Sequence, residues 1–284
     1  SLVGMGSWLE DEFLNGSMLL SRAGMVYLDN MGSILLNVAL TGTGTYSANS
    51  EDGASYLMQG IGGIVGMRAD GNTVATNGAL IDIKITDTGD AENTVAENAA
   101  GMQSVHGGAI TNNNTVNVTG GTGNFGLLAV RGEGSNSEFG NDSHEPRLNN
   151  YGTINVDSEG GFGMASFNGG GSVNTGNINL AKQGTGIQHD TGMIANSGKI
   201  NLEQGGKSIS MTQQGDITNE LNGDIYIDNA LSNTEASEGD GTDAAEQQES
   251  VGILQQNGNV INEGTITLVN TTGAENTISY GIKS

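Results

Sequence analysis

The sequence predicts an all-β chain, a right-handed, three-sided parallel β-helix (solenoid) with loop insertions. Three observations lead to this prediction: glycine is abundant while aromatic residues are scarce, a nine-residue motif recurs along the chain, and a glycine followed by an apolar residue recurs between its copies. We expect residues 1–284 to form a single β-helix domain, which is stable only as a stack because one coil cannot bury its own apolar face. We also expect this domain to be a fragment of a longer rod.

Composition argues against several other classes of protein. The 284 residues include 48 Gly, 1 Pro and no Cys, and 4% of them are aromatic. An ordinary globular core uses more aromatic side chains and less glycine, and collagen needs glycine at every third position together with much proline. The glycines of this chain therefore need another structural explanation.

The charge of the chain limits its partners. It carries 32 acidic and 9 basic residues, for a formal net charge of −23. A field of this sign repels phosphate backbones, anionic lipid headgroups and polyuronates. Nucleic acid is therefore excluded as an expected partner, while cations and basic surfaces remain open.

The nine-residue motif reads apolar, any, Asn, any, Gly, any, apolar, any, apolar. Ungapped copies cover 28–36, 148–156, 194–202 and 260–268, with a variant at 110–118, a shorter copy at 173–180, a longer one at 217–227 and a looser one at 74–83. The end of each copy alternates apolar and polar residues, which is the period of a strand with one buried face. Each copy is therefore predicted to be a corner followed by a strand.

The second recurring element is a glycine followed by Ile, Met or Leu. It occurs at Gly24-Met25, Gly63-Ile64, Gly101-Met102, Gly126-Leu127, Gly163-Met164, Gly186-Ile187, Gly252-Ile253 and Gly281-Ile282, with Ser208-Ile209 as a substitute. In the cleanest stretch Ile178 and Ile200 are one coil of twenty-two residues apart. Three short apolar segments per coil predict three strands per coil.

The asparagine of the motif is predicted to have a structural role. Tight corners between short strands favour residues with positive φ, which Gly adopts freely and Asn at small cost. Asparagines stacked on one another can also exchange side-chain hydrogen bonds. The predicted Asn ladder consists of Asn30, Asn112, Asn150, Asn174, Asn196, Asn219 and Asn262.

The outward position between the two apolar residues of the main strand is a candidate adhesive surface. Its residues are Asn117, Asn155, Asn179, Asn201, Tyr226 and Thr267, preceded by Leu35 in the first copy. As read from the motif copies, this face lacks the carboxylate pair that glycoside hydrolysis requires. The sequence accordingly predicts no catalytic residue.

Extra residues in some coils must leave the rod as loops. Four insertions are predicted, at 41–59, 87–100, 131–147 and 231–250, and the second and fourth are rich in acidic residues. No calcium-binding motif accompanies them. His106, His144 and His189 have no second histidine at metal-binding spacing and are interpreted as surface or turn residues. We therefore expect neither a metal nor a cofactor.

The Gly-Ile/Met element, the Asn-x-Gly-x-Ile-x-Val/Leu motif, the lack of Cys and the acidic pI resemble the passenger domains of Gram-negative autotransporter adhesins of the self-associating and diffuse-adherence type. The resemblance spans about residues 20–284 as a style of repeat. It implies a rod at the cell surface, anchored to the outer membrane through a C-terminal β-barrel outside this sequence. It also implies homotypic association between rods, biofilm formation, or attachment to host glycans or proteins.

Two departures from related surface proteins limit what the resemblance implies. Arg131-Gly132-Glu133 stands where an Arg-Gly-Asp would suggest an integrin contact, and the Asn-Pro-x-Leu element of two-partner secreted haemagglutinins is missing. Two other functions stay open. A polysaccharide-degrading β-helix enzyme, a lyase or hydrolase, requires paired carboxylates, and a passive structural stalk requires no site at all.

Overall fold

The computed structural model describes residues 2–6, 26–40, 64–70, 73–87, 99–105, 108–130, 147–167, 169–229, 248–271 and 277–284. All regular structure in these ranges is β-strand, and every pairing between the named strands is parallel. No helix in these ranges is long and apolar enough to cross a membrane. The all-β, parallel part of the sequence prediction is thus confirmed, and the sheets are compatible with a solenoid.

The strands follow one another along the chain with short corners between them. The first twelve are β1 (Leu2–Gly6), β2 (Val26–Asn30), β3 (Ile34–Leu40), β4 (Ile64–Asp70), β5 (Thr73–Asn77), β6 (Leu80–Asp87), β7 (Ala100–Val105), β8 (Ala109–Asn112), β9 (Thr115–Thr122), β10 (Phe125–Val130), β11 (Arg147–Asn150) and β12 (Thr153–Glu159). The others are β13 (Gly161–Phe167), β14 (Gly171–Asn174), β15 (Asn177–Leu180), β16 (Gly184–Asn196), β17 (Lys199–Leu202), β18 (Gly206–Asn219), β19 (Asp224–Asp228), β20 (Gln248–Gln255), β21 (Val260–Asn262), β22 (Thr265–Val269) and β23 (Thr277–Lys283).

The pairings follow three runs of strands. In the 15-stranded sheet, the first run is β1, β4, β7, β10, β13, β16, β18, β20 and β23, and the second is β2, β5, β8, β11, β14, β16, β18 and β21. The long strands β16 and β18 belong to both of these runs and join them. The third run is the 8-stranded sheet of β3, β6, β9, β12, β15, β17, β19 and β22. Neighbours within a run come from successive sequence repeats.

The register of the third run places apolar residues on one another. Ile178 and Ile200, which the sequence placed one coil apart, are partners in β15 and β17. Side chains in β12 alternate, so that Ile154 and Val156 are buried while Asn155 is only partly buried. The inward residues of all three runs form one core cluster. Burial of each such isoleucine stabilises the fold by about 1.5–3 kcal/mol.

The glycine of the Gly-apolar element makes room for a branched side chain across the core. A Cβ on Gly163 would overlap Cγ2 of Ile178 and would stand 2.6 Å from the carbonyl oxygen of Gly186. Gly126 has the same relation to Ile154 in the coil before. Any larger residue at these positions must displace either the core or the neighbouring strand.

One copy of the Gly-apolar element was placed wrongly from the sequence. Met67 is the partner of both Met5 and Met102, so this coil uses Gly66-Met67 and not Gly63-Ile64. The short spacing between two similar glycines concealed the register. The predicted copy at Gly24-Met25 lies outside the described residues.

The predicted reason for the glycine of the Asn-x-Gly corner is also wrong. Gly152, Gly176 and Gly198 do not have positive φ. A Cβ at each would instead overlap backbone atoms of the coil before, because successive corners pack directly on one another. Positive φ occurs at other corners, for example at Gly160 (φ 62) between β12 and β13.

The motif copy predicted to be one residue short has full length. Ser172 is the partner of Leu148 and of Ile194, so it occupies the apolar position, and the copy runs over 172–180. A small polar residue in the core position hid the first residue of this copy.

The predicted insertions fall largely outside the described residues. Range 41–59 lies there entirely, as do most of the other three. Their ends lie in strands: Asp87 ends β6, Ala100 begins β7, Arg147 begins β11 and residues 248–250 belong to β20.

A second apolar cluster lies beside the core, on the first run. Buried Phe125, Leu128 and Val130 form it together with Ala100 and Ala165. The rings of Phe125 and Phe162 stack with centroids 4.9 Å apart, in an arrangement favourable for aromatic pairs. Both sides of β10 are therefore buried, which explains why its sequence does not alternate.

Candidate binding surface

The outward side of the third run carries a column of stacked polar side chains. Its members in strand order are Asp82, Asn117, Asn155, Asn179 and Asn201, each the register partner of the next, and we call them the amide column. The column is positioned by strand alternation, since its neighbours along each strand point into the core. Tyr226 and Thr267 continue the same line in β19 and β22.

Side-chain hydrogen bonds connect the whole amide column. Asn155, Asn179 and Asn201 each donate from Nδ2 to Oδ1 of the preceding asparagine at 2.8 Å. Asn117 in turn donates to Oδ1 of Asp82 at 3.3 Å. All four amides therefore point their N–H groups toward the amino-terminal end of the stack.

Asp82 fixes the direction of this column. An ionised carboxylate can only accept hydrogen bonds, so the nearest amide must donate to it, and each following amide adopts the same orientation. Amides aligned in this way polarise one another and strengthen the series. The column is therefore an ordered array of dipoles that ends at a negative charge.

A shallow, solvent-open groove of about 410 Å³ lies along the amide column. Its other wall comes from positions two residues further along the strands, including Lys84, Thr119, Asp157 and Glu203. Lys84 Nζ lies 3.4 Å from Asp82 Oδ2, and Lys182 Nζ lies 3.6 Å from Asp157 Oδ1. The groove thus combines side-chain amides with three carboxylates. Among the described residues, Lys84 and Lys182 form ion pairs with two of these carboxylates.

The predicted set of outward residues on this face was incomplete, because it left out the carboxylates. Asp82 belongs to the column, and Asp157 and Glu203 line the groove beside it. Asp82 was missed because its motif copy has Ala79 in the glycine position and an alanine at its start. The predicted adhesive residues Asn117, Asn155, Asn179, Asn201, Tyr226 and Thr267 do lie in one line.

The second run carries a separate Asn ladder, which is buried except at its last member, Asn262. It joins Asn30, Asn77, Asn112, Asn150, Asn174, Asn196, Asn219 and Asn262 through Nδ2–Oδ1 hydrogen bonds of 2.7–2.9 Å. Each of these amides donates toward the carboxyl-terminal end, opposite to the amide column. The backbone fixes this orientation: Asn112 Nδ2 also donates to the carbonyl of Thr153, and its Oδ1 accepts from the amide of Asn114. The structure therefore places all seven predicted members together and adds Asn77.

A Ser–His pair lies inside the core. Ser172 Oγ is 2.5 Å from Nε2 of His189, and both side chains are buried. His189 Nδ1 lies 3.3 Å from the carbonyl oxygen of Thr191, which can only accept, so Nδ1 carries the proton and Ser172 donates to Nε2. The interpretation of His189 as a surface or turn residue is wrong.

Burial lowers the pKa of His189 to about 4, while the carbonyl of Thr191 and the charge of Asp190 oppose the shift. The imidazole is therefore neutral at physiological pH. The Oδ1 of Asp190 accepts hydrogen bonds from the backbone amides of Gly169 and Thr191. Since both side chains of this pair are buried, a substrate cannot reach it without opening the core.

Metal ligands are not grouped in the described ranges. No set of three or more His, Cys, Asp or Glu side chains there could hold a metal ion. His106 and His144 lie outside the described residues, as do most of the acidic residues of the second and fourth insertions.

Comparison with family models, curated proteins and solved structures finds no significant match to this chain. The likeness to autotransporter passengers accordingly rests on the repeat motifs, the lack of Cys and the acidic pI.

Proposed function

We propose that this chain is an adhesive segment of a cell-surface passenger, and that the amide column is its contact surface. The observation behind the proposal is the hydrogen-bonded series from Asp82 to Asn201, which is partly exposed and lies beside a groove. Regularly spaced polar groups on a rigid sheet suit many weak contacts that act together. The repeat motifs support the more specific assignment to an autotransporter adhesin on the outer membrane of a Gram-negative bacterium.

The proposed architecture is a right-handed, three-sided parallel β-helix. Three runs of parallel strands, each taking one segment from every repeat, support three sides. Right-handed crossovers are strongly preferred between parallel strands of one sheet, which supports the handedness. This architecture makes the third run one continuous side of a rod and the amide column a line along its axis.

The contacts available to a partner favour adhesion over catalysis. Each amide in the middle of the column offers hydrogen-bonding groups at the strand spacing of about 4.8 Å, so the surface repeats without a unique centre. The Ser172–His189 pair is shielded in the core. The proposed partners are a second copy of the rod, or host glycans or proteins.

The proposal can be tested with the full 284-residue chain. Analytical ultracentrifugation over a range of concentrations measures self-association, and a glycan array measures attachment to sugars. The variant Asn155→Ala/Asn179→Ala removes the middle of the amide column. Asn149→Ala is the matched control, because Asn149 makes a comparable side-chain bond to Thr111 on the second run.

We expect self-association or glycan binding by the native chain, loss of that activity in the double variant, and retention in the control. Retained folding is checked by circular dichroism. A chain that neither associates nor binds glycans is a passive stalk, which contradicts the proposal. Release of reducing ends from a polysaccharide, abolished by Glu203→Gln, would identify an enzyme and contradict it as well.

A further inference from the structure

We infer that the groove along the amide column binds an uncharged, hydroxyl-rich polysaccharide lying along the stack. This inference rests on the proposed adhesive function and names the chemical class of its partner. Four features of the surface carry it: the unused hydrogen-bonding capacity of the amides, the charges of the groove, the position of Tyr226 and the length of the column.

The amides of the column have capacity left for a ligand. A side-chain amide has two N–H donors and an oxygen with two lone pairs. In Asn155, the hydrogen bonds of the amide column use one N–H toward Asn117 and one lone pair toward Asn179. One donor and one acceptor therefore remain on the same small group. Sugar hydroxyls, which both donate and accept, match this pairing better than a purely anionic or purely cationic ligand does.

The charges of the groove disfavour an anionic ligand. Asp82, Asp157 and Glu203 line the groove, and Lys84 and Lys182 form ion pairs with Asp82 and Asp157. The whole chain has a net charge of −23. Sulfated glycans and polyuronates would approach against this field, whereas a neutral sugar is not repelled. Carboxylate oxygens also accept hydrogen bonds from hydroxyls strongly.

Tyr226 supplies an apolar platform at the end of the amides. It is the register partner of Asn201 and remains 37% exposed. A tyrosine ring offers an apolar face and a polar tip, which suits the partly apolar face of a sugar ring. Amides, carboxylates and one aromatic ring along a single line are the groups expected for recognition of a neutral sugar.

The dimensions favour a chain over a single sugar. From Asp82 to Tyr226 the column crosses five strand spacings, or about 24 Å. The groove is open along its length and does not enclose a small ligand. An extended oligosaccharide of several units can therefore contact successive amides at once and gain affinity from their number.

Two other occupants fit less well. A second copy of the chain brings another net charge of −23, which opposes close contact. An extended peptide adds to a sheet through the backbone groups of an edge strand, and the column lies on the face of the sheet. Both remain distinguishable in the experiment below.

The test is titration calorimetry of the full chain with cellohexaose, maltohexaose and mannohexaose, with hexagalacturonate as the anionic comparison. We expect at least one uncharged hexasaccharide to bind saturably, with an affinity that changes little with salt, and hexagalacturonate to bind more weakly. Asn155→Ala/Asn179→Ala and Tyr226→Ala should each weaken binding by about tenfold or more. Tyr226→Phe should stay within about twofold, and the distant Asn149→Ala should match the native chain.

Failure of this inference differs from failure of the proposed function. If the chain self-associates through the amide column but binds none of the three uncharged sugars, the inference is overturned and adhesion stands. Tighter binding of hexagalacturonate, or equal sugar binding by the column variants, also overturns it. If the chain neither self-associates nor binds any glycan or protein surface, both fail.

Discussion

Ser172 donates a hydrogen bond to Nε2 of His189 inside the apolar core, where the preceding and following coils place Leu148 and Ile194 beside β14. The hydroxyl alone would be an unsatisfied group in this position. The imidazole satisfies it, and the carbonyl of Thr191 satisfies the other ring nitrogen. Two polar residues at core positions of adjacent coils thus satisfy each other's hydrogen-bonding groups. The arrangement leaves a titratable group in the core.

Acid should weaken the fold through His189. Its pKa in the folded chain is about 4, lowered by burial from the ordinary 6.5. The unfolded state therefore takes up the proton first as pH falls, so this contribution is fully present above pH 6.5 and is lost between 6.5 and 4. The total change is roughly 3 kcal/mol. Urea denaturation at several pH values measures it.

His189→Met provides the control for the acid effect. Methionine suits this position because the register partner of His189 in the next coil is Met211. The variant loses the hydrogen bond but should lack the part of the pH dependence between 6.5 and 4. Equal pH profiles for the variant and the native chain would show that His189 titrates normally.

Gly163→Ala should destabilise the chain through overlap in the core. Its new methyl would meet Cγ2 of Ile178 and the carbonyl of Gly186. Overpacking of this kind costs about 1–3 kcal/mol. Gly171→Ala is a matched control, since the nearest atom to its Cβ is Met193 O at 3.9 Å. Chemical denaturation of both variants measures the difference, and equal midpoints would argue against the tight packing of the runs.

The buried and exposed asparagines should respond differently to the same substitution. Asn150→Ala leaves the buried amides of Asn112 and Asn174 without one partner each, at about 1–3 kcal/mol per group. Asn155→Ala breaks similar bonds in the same coil, but water can replace them there, so about 1 kcal/mol or less is expected. Thermal unfolding of the two variants compares these costs. A larger loss in Asn155→Ala would reverse the assignment of the two columns.

Ser208 should be replaceable without loss. It occupies the glycine position of its coil, and its buried Oγ has no hydrogen-bond partner in the described structure. Ser208→Ala should therefore be neutral or stabilising by up to about 1 kcal/mol. Ser166→Ala removes a hydroxyl that donates to the carbonyl of Gly169 at 2.6 Å and should destabilise by about 1 kcal/mol. Denaturant midpoints test the pair, and a destabilised Ser208→Ala would indicate a bound partner at that hydroxyl.

The parallel strands and most of the two Asn series were predictable because each repeat uses the same residue at the same corner. Ile154, Ile178 and Ile200 show the regularity on which that prediction depends. The exceptions were not predictable, since Ser172, Asn77 and Asp82 lie in copies where a core or corner residue is replaced. Only coordinates reveal that Ser172 meets His189 or that Asp82 ends the amide column.

The direction of the amide column also required structure. The sequence indicates which asparagines stack but not which atom of each amide faces its neighbour. Asp82 decides this at one end, and the backbone carbonyl of Thr153 decides it for Asn112 in the buried ladder. Long-range pairs of this kind are separated by 35 to 41 residues in sequence.

The most direct test of the central claim measures the spacing along the outward side of the third run. The chain has no cysteine, so Asn117→Cys and Thr267→Cys can be spin-labelled selectively. Five strand spacings separate these positions, and pulsed electron paramagnetic resonance should give a narrow distribution near about 24 Å. A broad distribution, or a mean distance far from this value, would contradict the stacked register on which the groove and its proposed ligand depend.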